Sequence, residues 1–125
     1  MGLGVPMIAE KVRDRLPRVA ADLEAVRPGI LDRAVQEVLA EERLSEPLPE
    51  GEESRVADRV ALRLCQAALD LYMDRIEEAQ ADDVRERYAR RIEYLREKMA
   101  QLERNLAERA RREQGGTSPR RVLKV

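Results

Sequence analysis

Side chains that do covalent or acid–base work are scarce in this chain. Among 125 residues there is no histidine, one cysteine and three tyrosines. Without imidazole there can be no Ser-His-Asp triad, no histidine general base and no His-containing metal site. The lone Cys65 cannot build a zinc–thiolate cluster or an internal disulfide. It falls on the apolar face of the third helical segment, where a small buried hydrophobe is expected rather than a reactive thiol. No glycine-rich loop follows a strand pattern, so Walker and dinucleotide fingerprints are absent. Acid pairs at helical spacing occur at Glu37/Glu41, Asp70/Asp74 and Glu93/Glu97. Di-metal bundles combine such pairs with Glu-x-x-His, which this composition forbids. The pairs are therefore expected to form surface or inter-helix ion pairs, with Asp70 and Arg63 the most buried. No catalytic residue, cofactor or metal is expected, and the chain reads as non-enzymatic.

What remains is chemistry of contact. The net charge is −1, which disfavours general polyanion binding, but the charge is unevenly spread. Seven acids and one arginine lie between Glu37 and Glu53, whereas six bases and one acid lie between Arg109 and Val125. Arg109, Arg111, Arg112, Arg120, Arg121 and Lys124 could neutralise several phosphates. No aromatic is interleaved with them for base stacking, and a basic, apolar tail suits a protein groove or sheet edge equally well. No apolar run reaches the ~20 residues that cross a bilayer. The single cysteine fits a reducing compartment, so no membrane partner and a cytosolic setting are expected.

The elements that must carry these groups are helical. The composition is 43% hydrophobic, 39% charged and 2% aromatic, and Ala, Glu, Arg and Leu dominate every long segment. Apolar residues at Ile8, Val12, Leu16, Val19, Leu23 and Val26 mark one face, interrupted at Pro17, which either kinks the helix or opens a second one. A further helix is predicted from Ile30 to Leu44, and Ser45–Gly51 reads as a loop. The third segment, Arg55–Ala79, with Ser54 as a plausible N-cap, is apolar around most of its circumference. So small a chain is not expected to cover it alone, and neighbouring copies are the natural remainder. A fourth helix is predicted from a capping-box-like Asp83/Glu86 to about Arg112, its seam running Val84, Tyr88, Ile92, Leu95, Met99, Leu102, Leu106. The residues expected to meet another copy are Val60, Leu64 and Leu71 from the third segment and Leu95, Met99 and Leu102 from the fourth. Gly115-Gly116-Thr117-Ser118-Pro119 is expected to be a joint. The expectation is thus an all-α bundle of four to five helices over residues 1–114, with a long C-terminal helix, followed by an extended basic tail over 115–125.

The third and fourth segments read VADRVALRLCQAALDLYMDR and VRERYARRIEYLREKMAQLE. An Ala/Leu-rich buried helix, a short acidic turn and a Tyr-bearing amphipathic helix resemble the helical head-to-tail adaptors (connectors) of tailed bacteriophages, over roughly residues 30–112. That resemblance implies a structural protein of the virion neck, assembled in the host cytoplasm. It implies a ring, commonly twelvefold, that sits on the portal, meets further tail or connector proteins and extends the DNA channel without reading sequence. Arg120, Arg121, Val122, Leu123, Lys124 and Val125 would then grip the portal, the bases meeting acidic groups and the apolar residues serving as anchors. Two readings from other classes stand beside it. One is a small partner-binding or regulatory protein using the fourth helix as a coiled coil, and the other is a nucleic-acid-binding packaging subunit.

Overall fold

The computed structural model describes residues 5–44, 48 and 51–124, with side chains from 6 to 112. Five helices are present, with no strand among the described residues: α1 Val5–Arg15, α2 Pro17–Val26, α3 Ile30–Glu41, α4 Glu53–Glu78 and α5 Asp82–Lys124. The chain is an all-α bundle, as its composition predicted.

Pro17 ends one helix and begins another. Leu16 leaves helical geometry at φ −130°, ψ 61°, and Pro17 occupies the first turn of α2, where its missing N–H is no loss. Leu16 is itself 1% exposed, so the corner between α1 and α2 is pinned into the core. The turn from α2 to α3 depends on Gly29, whose φ of +85° lies in the left-handed region. Its N–H donates to Glu24 Oε2 at 2.7 Å. A Cβ there would meet nothing within 4 Å, so the penalty for alanine is backbone alone. Gly29→Ala is expected to cost about 1–2 kcal/mol in chemical denaturation. An unchanged midpoint would show that the turn relaxes freely.

α3 stops at Glu41, three residues short of the predicted Leu44. Arg43 turns left-handed at φ 56° and the Leu44 N–H returns to the Leu39 carbonyl at 2.9 Å. Leu48, 1% exposed, anchors the connection to α4 in the core. α4 opens at Glu53, so Ser54 is not its cap but lies in its first turn. The expected Asp83 cap is likewise displaced: α5 starts at Asp82, and both acids fall in its first turn, where the N-terminal dipole favours them.

α4 is the central element, packed against α1, α2, α3 and α5. Val56, Ala57, Val60, Ala61, Leu64, Cys65, Ala68 and Tyr72 are each 2% exposed or less. The expectation that one chain could not cover this helix is therefore overturned. Four helices from the same chain enclose it, because the Pro17 break folds α1 and α2 back over it instead of leaving one long rod. A strip through Arg59, Gln66, Asp70, Met73, Asp74 and Glu77 faces outward, with Arg75 and Glu78 exposed beside its C-terminal end.

α5 lies antiparallel along α4, burying Ile92, Leu95 and Leu102, with Tyr88 and Met99 partly covered. It was expected to end near Arg112, with a joint at Gly115. The helical backbone instead continues through Gly115, Gly116 and Pro119 to Lys124. Extending an existing helix requires no new nucleus, so unfavourable residues can be carried on its end. α5 has 43 residues against 26 in α4 and begins beside the C-terminus of α4. It is therefore longer by 17 residues, about 25 Å at 1.5 Å per residue, and as far along as Arg109 it still reaches Asp58 of α4.

Candidate functional site

Two polar clamps cross the helix interfaces, and neither was foreseen from the sequence. The first centres on Asp58, at 2% exposed the one buried charged residue among the described residues. Arg15 Nη1 of α1 donates to Asp58 Oδ1 at 2.5 Å. Arg109 Nη1 of α5 lies 3.1 Å from Oδ2, within ion-pair reach but off hydrogen-bond alignment. One carboxylate thus ties the C-terminus of α1 and the late part of α5 to α4. The sequence reading placed the buried acid at Asp70, which is exposed instead. Arg63 is 35% exposed in its side chain, but it is paired, with Glu41 at 2.6 Å and Glu37 at 3.4 Å. The hydrogen bond from Arg63 holds the Glu41 carboxyl below its usual range. Being at the surface, this pair is worth little to stability.

The second clamp joins α2, α4 and α5. Tyr72 Oη donates to Asp22 Oδ2 at 2.5 Å, and Arg91 Nη1 approaches the same oxygen at 3.4 Å. The Arg91 guanidinium stands over both tyrosine rings, 5.6 Å from the Tyr72 centroid and 5.1 Å from that of Tyr88. Burial, reinforced by Asp22, raises the Tyr72 phenol above its usual range, so it stays protonated at neutral pH and serves as a donor. The spacing of Tyr72 and Tyr88 showed only that both lie on apolar faces. That they stack around one arginine depends on the α4–α5 register.

Cys65 is fully buried, as its position on the apolar face predicted, and burial pushes its thiol up from 9.0 to about 11. A thiol with a raised folded pKa stabilises the protein while it is protonated in both states. That contribution fades as pH rises from about 9 toward about 11, because only the unfolded thiol ionises in that window. Stability is expected to fall above about pH 9, with a shallower fall in Cys65→Ala. Iodoacetamide should label Cys65 at about pH 8 only after unfolding; rapid labelling of the folded chain would contradict the burial.

The residues expected to bind other molecules divide sharply. Val60, Leu64, Leu95 and Leu102 are at most 3% exposed and form the chain's own core, so they are not a surface for another copy. Leu71 and Met99 are partly buried against that core. The seam was read correctly as apolar, but α4 and α5 bury it against each other. The side chains of Arg120, Arg121, Val122, Leu123 and Lys124, and all of Val125, lie outside the described residues.

Among the described residues, the exposed large apolar groups are Met7, Val26, Met73 and Tyr94, at 47–56%. Tyr94 sits between two shallow grooves on α5. One, of about 510 Å³, is lined by Arg18, Arg87, Arg90 and Arg91, with Asp83 and Glu86 at its edge. The other, of about 450 Å³, includes Lys98 and Arg104. Val26 borders a third groove of about 240 Å³ between α2, α3 and α4, rimmed by Asp70 and Asp74. Among the described residues no cluster of three or more potential ligands could hold a metal, and no helix is long and apolar enough to cross a membrane.

These features define an all-α bundle whose ionisable groups cross-link helices and whose surface carries shallow grooves. No family model matches the chain, and no curated protein or solved structure matches it.

Proposed function

We propose that this chain is a non-enzymatic assembly protein, and more specifically a head-to-tail adaptor of a tailed bacteriophage, seated on the portal as a ring. The observation that carries the docking role is the length of α5, which has 17 residues more than its hairpin partner and bears the basic end of the sequence. The resemblance of residues 30–112 to helical adaptors supplies the finer reading. Excess apolar surface on α4 does not support it, since α4 is enclosed by its own chain. The coiled-coil alternative is weakened for the same reason, because Leu95 and Leu102 are already committed to α4.

In this reading Arg120, Arg121 and Lys124 meet acidic groups of the portal, and Val122, Leu123 and Val125 anchor the contact. Interface affinity concentrates in a few such anchors. Deleting residues 115–125 is expected to abolish binding to the portal protein of the same genome while leaving the helical signal of the bundle intact. Calorimetric titration of intact and truncated chains against purified portal reads the difference, and undiminished binding by the truncated chain would remove the tail from the proposal.

A further inference from the structure

We infer that one copy of this chain docks head to tail on the next, the basic ridge of α5 around Tyr94 seating in the acid-rimmed apolar groove between α2, α3 and α4. The inference rests on the assembly-protein reading and names the surfaces by which copies would join.

The groove has an apolar floor of Leu23, Ile30, Ala67 and Leu71, with Val26 half exposed beside it. Asp70 and Asp74 stand on its rim, exposed, and among the described residues neither has an ion-pair partner. The earlier bases of α4 do not neutralise them: Arg63 is engaged by Glu37 and Glu41, and Arg59 by Glu42. An apolar cleft edged by two free carboxylates fits a group that is apolar in the middle and cationic at its flanks. An aromatic ring needs on the order of 150 Å³, and the groove offers about 240 Å³.

The same molecule carries such a group. Tyr94 is 51% exposed, and Arg87, Arg90, Lys98 and Arg104 flank it at helical spacing along α5. The few acids on the ridge, Asp83, Glu86 and Glu97, have a counterpart in Arg27 on the groove rim. Those acids also disfavour a nucleic acid, whose phosphates they would repel, as does the net charge of −1. Ridge and groove share no residue, so a copy can seat its ridge in the next while its own groove stays open, which makes the union heterologous. Such contacts close into rings when the rotation between copies allows, and otherwise run on as filaments.

The test uses the full chain and two surface variants, Arg90→Glu/Tyr94→Ala on the ridge and Asp70→Lys/Asp74→Lys in the groove, each checked for native circular dichroism. Sedimentation over a concentration series should show wild-type association that weakens with salt, with the association constant reduced about tenfold or more in either variant alone. An equimolar mixture of the two variants should form a dimer and nothing larger, because each retains the surface that the other lacks. A wild type that stays monomeric throughout, variants that associate undiminished, or a mixture that does not combine would each overturn the inference. So would ridge-dependent binding of a single-stranded oligonucleotide by a chain that does not self-associate. Portal binding through the tail is read separately, so failure here and failure of the adaptor reading are distinguishable.

Discussion

Leu95→Asp is expected to unfold the protein rather than to separate copies of it. Leu95 is 0% exposed, in the middle of the α4–α5 interface. A carboxylate there must be buried among apolar side chains or force the helices apart, at a cost of at least about 4 kcal/mol. Leu95→Ala, which only leaves a cavity, should cost about 2–5 kcal/mol. Urea denaturation followed by circular dichroism reads both. A Leu95→Asp chain that keeps wild-type stability and loses only self-association would return this residue to an inter-copy seam and refute the burial described above.

Removing the buried charge at Asp58 is the second large perturbation. Asp58→Ala leaves Arg15 and Arg109 facing each other across an apolar site without their shared partner. Breaking a buried pair on one side costs about 3–5 kcal/mol. Both guanidinium side chains are about a third exposed, at 34% and 32%, and so retain hydration. The expected loss is therefore at the low end, about 3 kcal/mol. Replacing all three members with apolar residues, as in Arg15→Met/Asp58→Leu/Arg109→Met, should recover most of it, because no charge is then left to desolvate. Hydrogen exchange in Asp58→Ala should rise in the last turn of α1 and around Arg109, the two places tied to that carboxylate. Loss confined to α4 itself would show that the clamp does not hold those elements.

Much of the fold was legible in one dimension. An interruption at Pro17, Pro28-Gly29 as a turn, and Ile30 as a helix start follow from local backbone chemistry, which neighbouring residues largely decide, although whether Pro17 kinks one helix or opens another does not. The all-α class followed from the absence of Phe and Trp and the dominance of Ala, Leu, Glu and Arg. The residues of the α4 apolar face and of the α5 seam were also correctly placed, though not what covers them, and Cys65 lies where its face predicted. Three readings failed for one reason. The apolar α4 circumference, the α5 seam and the buried acid all depend on what lies opposite, and periodicity describes a helix without its neighbour. Asp58 lies about 120° around the helix from Asp70, on the face of Ala61 and Cys65, so its burial had a periodic signal, but the bases of α1 and α5 that stand opposite it are brought there only by tertiary packing.

By itself, then, the sequence determined the helical class, the interruptions at Pro17 and Pro28-Gly29 and the absence of imidazole chemistry, since these depend on residue type and adjacent backbone. The tertiary structure alone decided that the apolar seams close within one chain, that Asp58 and Arg91 are the cross-links, and that Tyr94 with its arginines and the groove beside Asp70 and Asp74 remain open. Those outcomes depend on how the helices are positioned against one another, which brings together residues 43 to 69 positions apart and which no local pattern encodes.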